Sequence, residues 1–154
     1  MEPLYFVERE FGYPVGNLWS AWTNAEELEN WYCPVYLSVV ASSATSEPIV
    51  GGTWAIAVDV SANGFNAYFW GKYSLVEINK KLVHDLNYSQ DHLEFALRDI
   101  QPSAHRIEID FTSTTNGTLV RFSQFGEMPE EQADASRDGM ESYFDNLEIH
   151  LGGK

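Results

Sequence analysis

The chain has few of the residues that cross-link a protein or bind anions. It contains one cysteine, Cys33, so it forms no internal disulfide, as is typical of a reducing compartment. Its 9 Lys and Arg residues face 23 Asp and Glu residues, which gives a net charge of −14. This charge repels nucleic-acid phosphates and anionic lipid headgroups, so we expect no nucleic-acid partner and no membrane role. The main role that we expect for this negative charge is to keep the protein soluble. The alternative is that it docks the protein to a basic patch on a partner.

Long apolar runs and targeting signals are also missing. No stretch approaches the roughly 18 consecutive apolar residues of a membrane-spanning helix. The N-terminal residues 1–5 have neither the basic start nor the apolar run of a signal peptide. No linker rich in Pro, Gly or Ser divides the 154 residues. We therefore expect a cytoplasmic protein whose residues 1–154 form one domain, and its oligomeric state stays open.

Helix signals stand near both ends of the chain. Asn17 and Asn24 are each placed to cap a short helix, and the second of these helices ends before Pro34. After Pro129, apolar side chains recur at steps of three and four until Gly152, which predicts an amphipathic helix of about six turns. The chain thus begins with a strand over residues 4–11, continues with two short helices, and closes with one long helix.

Between these helices the apolar period is two, which indicates strands. Strands are predicted over residues 35–40, from Gly52 onward, and over 66–78, 82–88, 105–111 and 118–125. Asn63-Gly64 and Asn116-Gly117 predict hairpins, the first with a two-residue loop. The segment 89–103 has no clear pattern, and its structure stays open.

These elements predict an α+β helix-grip fold, in which a curved antiparallel sheet of about six or seven strands wraps around the C-terminal helix. A helix is about 10 Å wide, whereas six strands about 4.8 Å apart span more than twice that width. The sheet must therefore curl, with the short helices closing one end. Small interior volumes fill with side chains, and larger ones become ligand cavities.

The order of local motifs resembles the START-like, or birch-pollen-allergen-like (SRPBCC), superfamily. Within it the chain is similar to homologues of the heat-shock protein 90 ATPase activator, in their C-terminal domain. The resemblance begins with Leu-Trp-Ser-Ala-Trp-Thr at residues 18–23, and the other matching residues are Leu28, Trp31, Pro34, Gly51, Gly52, Gly71, Lys72, Tyr73, Val76, Leu82, Gly117, Thr118, Gln124, Gly126, Gly139, Leu147 and Leu151. The chain departs from the family at Ile78-Asn79, where a Pro-Pro turn is common, and at Met140, where a Trp is common.

The resemblance implies the helix-grip fold and a tendency to bind apolar molecules, but no single activity. Three hypotheses follow: a module that binds a small hydrophobic molecule, a chaperone-associated protein that docks to a basic surface, or a cyclase- or hydrolase-type enzyme. The family thus leaves the choice among them to the residues of the site.

Residues able to carry catalysis or hold a metal are not grouped in the sequence. The four histidines show no metal-ligand spacing, and Cys33, beside Trp31 and Pro34, suits a half-buried thiol better than a nucleophile. We therefore expect no catalytic residue, no metal site and no cofactor, which favours the binding module.

The inner faces of the predicted strands and long helix supply the candidate ligand contacts. A hydrophobic dye or a long-chain fatty acid is expected to bind there with a stoichiometry of about one, and Trp at Val58 or Ile109 is expected to fill the space. His105 is either a hydrogen-bonded histidine at a strand end or a ligand contact, and Gln124 bonds either the helix backbone or a ligand. For the apolar candidates, simple core packing is the alternative. The candidates are Trp54, Ile56, Val58, Phe69, Tyr73, His105, Ile107, Ile109, Val120, Phe122, Gln124, Met140, Tyr143, Phe144 and Leu147.

Overall fold

The computed structural model describes residues 2–153, and in that part eight strands form one curled antiparallel sheet. The strands are β1 (Tyr5–Phe11), β2 (Ser38–Val39), β3 (Thr45–Ser46), β4 (Thr53–Val60), β5 (Phe65–Glu77), β6 (Lys81–Ser89), β7 (His105–Ser113) and β8 (Thr118–Phe125). Their order across the sheet is β1-β8-β7-β6-β5-β4-β2, with β3 also paired to β4.

Within the described residues, three helices cover one end and the concave face of this sheet, and a fourth, α3 (His92–Leu97), covers part of its convex face. The other three are α1 (Val15–Thr23), α2 (Ala25–Trp31) and α4 (Glu130–Gly152). The helix α4 has 23 residues and packs against β1, α1 and α2. The predicted helix-grip architecture is therefore confirmed, including the two short helices after the first strand and the long helix at the end.

Alternation along the central strands sets the inner and outer sides of the sheet. On β4, Trp54, Ile56 and Val58 face the concave side, where Ile56 pairs with Phe69 across to β5. On β7, Ile107 and Ile109 face the same interior and are fully buried. Because side chains alternate with a period of two, a single register places every one of these residues on the concave side.

The first helix begins earlier than predicted. Pro14, with φ −59°, precedes the first helical residue Val15, and Asn17 lies inside the helix without capping it. Proline fixes φ near the helical value and suits the start of a helix, so the helix starts from Pro14 and not from the asparagine three residues later. The predicted cap at Asn24 is confirmed, because its side chain accepts a hydrogen bond of 3.2 Å from the backbone N–H of Glu27.

Two strand and turn predictions were wrong in detail. The strand predicted over residues 35–40 is reduced to Ser38–Val39, since the backbone first turns at Pro34, whose carbonyl accepts from the N–H of Leu37 at 3.0 Å. The Asn63-Gly64 hairpin has a four-residue loop rather than a two-residue one, because Val60 pairs with Phe65 around a short 3-10 turn. Gly64 supplies the left-handed residue of that turn, at φ +91°.

The segment left open at residues 89–103 contains α3, which covers the convex face of the sheet. Asp91 caps this helix by accepting from the N–H of Leu93 at 2.8 Å. Phe95 stacks on Tyr68, with ring centroids 4.7 Å apart, and the two form a second core with Ala55, Ala57 and Trp70. Leu93 and Leu97 stay exposed, so the apolar pattern of the segment does not show which side is buried.

None of the helices formed by residues 2–153 combines the length and the apolar character that a membrane span requires.

Candidate ligand pocket

A pocket of about 450 Å³ lies between α4 and the concave face of the sheet, at the end away from α1. Its walls come from β1, β5, β6, β7, β8 and α4, and from the loops that precede β7 and α4. The mouth is surrounded by exposed polar side chains, among them Tyr88, Gln101, Ser103 and Gln132. Its volume is in the range of small-molecule sites.

The deep end of the pocket is an aromatic wall around Tyr32. This side chain is 6% exposed, and its ring packs edge-on against Trp31, Trp54 and Tyr143. The main-chain carbonyls of Trp31 and Cys33 accept from the side-chain amide of Asn146 on α4, at 3.0 and 3.2 Å. This contact ties the end of α2 to the long helix, so the wall is fixed from two sides.

A chain of hydrogen bonds crosses one wall of the pocket. The hydroxyl of Tyr5 donates to Oε1 of Gln124 at 2.6 Å, and Nε2 of Gln124 lies 2.8 Å from Nδ1 of His105. Because an amide nitrogen only donates, Nδ1 of His105 accepts, and its Nε2–H donates to the carbonyl of Glu127 at 3.2 Å. In this network both ring nitrogens of His105 have a hydrogen-bond partner.

Gly126 allows His105 to take this position. A Cβ on Gly126 would lie 2.4 Å from the His105 ring. The backbone φ of Gly126 is +151°, which residues other than glycine rarely adopt. His105 therefore has the hydrogen bonds expected of a strand-end histidine while its ring also lines the pocket. Gln124 bonds Tyr5 and His105, not the helix backbone.

Burial keeps the tyrosines of the pocket protonated. It raises the pKa of Tyr5, Tyr32 and Tyr143 above the ordinary value for a phenol, and for Tyr32 the neighbouring Tyr143 adds a smaller contribution. These hydroxyls are therefore neutral hydrogen-bonding groups at any physiological pH.

Formal charge is absent from the described lining. None of the described residues that line the pocket is Asp, Glu, Lys or Arg, although the whole chain carries a net charge of −14. The polar groups that do line it are amides, hydroxyls and one imidazole. Such a surface can form hydrogen bonds with a neutral ligand, but it has no charged side chain to pair with an ionic ligand.

Six of the fifteen candidate residues line the pocket: Phe69, His105, Phe122, Gln124, Met140 and Tyr143. The other nine pack in the solid part of the core, where none is more than 3% exposed. They are Trp54, Ile56, Val58, Tyr73, Ile107, Ile109, Val120, Phe144 and Leu147. Trp at Val58 or Ile109 would consequently overpack the core and not fill the pocket.

Several lining residues did not emerge from the sequence. Gln132, Ser136 and Gly139 precede the candidate Tyr143 on α4 at steps of four, three and four, so all four share one side of the helix. This stripe of small and polar residues beside the apolar stripe is a signal that was available in the sequence. The contributions of Tyr32 and Leu86 had no comparable signal, since they depend on how distant segments meet.

Gly139 enlarges the pocket at the middle of α4. A glycine inside a helix costs about 1 kcal/mol relative to alanine. A Cβ built on Gly139 meets no atom within 4 Å, so close packing does not require the glycine. The missing side chain leaves this part of the pocket open.

Cys33 lies outside the pocket lining and is 2% exposed, more deeply buried than expected. Burial raises the pKa of its thiol to about 11, with a smaller opposing effect from a hydrogen bond to Asn146. The thiol thus stays protonated, which does not suit a nucleophile.

Comparison with known sequences identifies one family. A model of the family described as activator of Hsp90 ATPase homolog 1-like protein matches residues 12–152 of the chain. No curated protein matches the sequence.

Several solved structures share the fold at low sequence identity. The AHSA1 protein from Silicibacter pomeroyi has a TM-score of 0.79 and 17% identity, with 96% of each chain covered. A protein from Nitrosomonas europaea has a TM-score of 0.76 and 20% identity, covering 97% of this chain and 94% of its own. A protein from Mesorhizobium loti has a TM-score of 0.71 and 24% identity, with 97% of each chain covered. At such identities the similarity establishes the fold alone.

Proposed function

The chain belongs to the activator of Hsp90 ATPase homolog 1-like family, and we propose that it binds a small, uncharged, largely apolar molecule in the pocket under α4. One observation carries the proposal: a volume of about 450 Å³ remains between sheet and helix, and its described lining combines aromatic and aliphatic side chains with uncharged polar groups. The proposed contacts are the six candidates in the lining, together with Tyr5 and Tyr32.

The pocket chemistry favours binding over a cyclase or hydrolase reaction. General acid and base catalysis needs a group that is free to exchange a proton with the substrate. Both nitrogens of the His105 imidazole are occupied by Gln124 and Glu127, and burial raises the pKa of Tyr32 and Tyr143. The described lining contains no thiol or carboxylate to act as a nucleophile.

Binding can be tested with prodan, a neutral naphthyl ketone whose fluorescence responds to its surroundings. We expect wild-type protein to bind it with a stoichiometry of about one. Gly139→Phe projects a ring into the pocket, so the affinity should fall at least about tenfold, a cost of about 1.4 kcal/mol.

Asp138→Phe is the matched control, because Asp138 is the preceding residue on α4, is exposed and does not line the pocket. This variant should bind prodan like the wild type. Absence of saturable binding to wild-type protein, or equal binding by Gly139→Phe with its melting temperature preserved, would contradict the proposal.

A second candidate function is docking to a chaperone, as the family description suggests. Exposed acidic side chains on α4 include Asp138 and Glu148, while the nearby Glu141 and Asp145 pair with Arg9 of the same chain. This acidic surface suits a basic partner. The test is the ATPase rate of purified Hsp90 with and without the chain, at low and high salt. An effect that weakens with salt supports docking, and an unchanged rate at low salt contradicts it.

A further inference from the structure

Two tyrosine hydroxyls in the pocket have no hydrogen-bond partner within the described chain. Tyr32 and Tyr143 contact each other edge-on, with ring centroids 5.1 Å apart, and neither side chain forms a hydrogen bond within residues 2–153. Neither hydroxyl is sealed from solvent. Since both residues line the pocket, the pocket is where water or a guest reaches these hydroxyls.

Other deeply buried tyrosines nearby are satisfied by the protein itself. Tyr5 donates to Gln124 at 2.6 Å, and the hydroxyl of Tyr73 lies 2.8 Å from Oγ of Ser46. Buried polar groups are normally paired, and an unpaired one in a native structure calls for a partner from outside the protein. Tyr32 as a whole is only 6% exposed, and its hydroxyl, at the deep end of the pocket, has no partner in the described chain and is open to one that enters the pocket.

The chemistry of the pair restricts what that partner is. A protonated phenol donates one hydrogen bond, so two neighbouring phenols suit an oxygen that accepts through its two lone pairs, such as a carbonyl oxygen. No Lys or Arg among the described lining residues is present to neutralise an anion, and the net charge of −14 opposes one. A neutral acceptor therefore suits the site better than a carboxylate.

We propose that Tyr32 and Tyr143 are specificity-determining residues that recognise a neutral carbonyl-type acceptor oxygen at the buried end of the ligand. This inference rests on the proposed function and deepens it. The apolar body of the ligand then lies along Phe69, Phe122 and Met140, and its other end reaches the polar mouth at Gln101 and Gln132. The pocket selects for one oxygen at a defined end of an otherwise apolar molecule.

The experiment compares prodan with its analogue in which a methylene replaces the carbonyl. Tyr32→Phe and Tyr143→Phe should each weaken prodan binding about fivefold, which corresponds to one net hydrogen bond. Both variants should bind the carbonyl-free analogue within about twofold of wild type. Prodan emission in the double variant should shift to shorter wavelength, because its carbonyl has lost its donors.

Tyr68→Phe provides the control. The side-chain hydroxyl of Tyr68 also forms no hydrogen bond within the described chain, but the residue lies on the convex face, outside the pocket. It should bind both probes like the wild type. If the double variant binds prodan as tightly as wild type does, the inference is overturned and the proposed function stands. If neither probe binds wild-type protein, the proposed function fails and the inference with it.

Discussion

Single residues on the inner face of the sheet are held by contacts that come from three strands at once. The indole of Trp54 on β4 crosses over Gly71 on β5 and donates to the carbonyl of Asp85 on β6 at 3.1 Å. A Cβ on Gly71 would lie 2.0 Å from that carbonyl and 2.8 Å from the indole nitrogen. Glycine is therefore required at position 71 because the Asp85 carbonyl and the Trp54 indole approach its Cα closely. Its backbone φ is not in the left-handed region, so conformation does not require the glycine.

Gly71→Ala should consequently destabilise the protein by about 3 kcal/mol or more, because either the strand or the indole must move. The measurement is urea unfolding followed by tryptophan fluorescence. Gly16→Ala is the control, since a Cβ there meets no atom within 4 Å and the residue lies in α1. Equal stability of Gly71→Ala and wild type would show that Trp54 does not hold this position.

His84 is a buried histidine against the rings of Trp54 and Tyr73, with centroids 4.4 and 5.8 Å away. Burial lowers its pKa from 6.5 to about 4, against a smaller opposing effect of its hydrogen bond to the carbonyl of Asp85. The unfolded chain therefore binds a proton between pH 6.5 and 4 that the folded chain does not bind.

The contribution of neutral His84 to the free energy of unfolding is fully present above pH 6.5. It is lost as the pH falls through about 4, which lowers the free energy of unfolding by about 3 kcal/mol in total. His84→Phe should remove this part of the pH dependence, as measured by urea unfolding at pH 7, 5.5 and 4. His92→Phe changes an exposed histidine and should keep the wild-type profile. Identical profiles for His84→Phe and wild type would contradict the assignment.

At the scale of whole elements, α4 has different neighbours along its length. Its first half turns Gln132, Ser136 and Gly139 toward the pocket. Its second half presses Phe144, Leu147 and Leu151 into the solid core against β1, α1 and α2. One helix thus closes the core at one end and forms a wall of the pocket at the other.

Leu147→Ala should cost about 2–5 kcal/mol, the usual range for a cavity in a packed core, because Leu147 is 0% exposed. Ile149→Ala is matched on the same helix and should change stability by less than about 0.5 kcal/mol, since Ile149 is 67% exposed. Thermal and urea unfolding measure both. A melting temperature of Leu147→Ala within error of wild type would contradict burial of this face.

For the whole molecule, charge and pocket chemistry point to the same kind of guest. The net charge of −14 produces a repulsive field for anions, while the described pocket lining offers amides, hydroxyls and aromatic rings. A neutral molecule does not experience this field, whereas an anion must cross it and then lose its hydration.

Anilinonaphthalene sulfonate, an anionic dye, should therefore bind more weakly than prodan at low salt. Its affinity should improve between 10 mM and 150 mM salt, as the screening length falls from about 30 Å to about 8 Å. The affinity for prodan should stay constant over the same range. Fluorescence titration measures both dyes, and a dissociation constant of the anionic dye that does not depend on salt would argue against electrostatic exclusion.

Local signals in the sequence determined most of the fold. Alternation along β4, β7 and β8 predicted their inner faces, Asn24 predicted its helix cap, and the apolar stripe after Pro129 predicted α4. These features depend on periodicity and on contacts between residues close in the chain. The same reasoning failed at α3, because its exposed Leu93 and Leu97 conceal which side packs on the convex face.

Tertiary structure alone decided which inward residues form solid core and which line a pocket. Val58 and Phe69 both face the concave side, but Val58 is buried in the solid core whereas Phe69 lines the pocket. Alternation reports the side of a sheet and carries no information about the distance to the element above it. The hydrogen bonds among Tyr5, Gln124 and His105 likewise depend on how three strands align, across as many as 119 residues of chain.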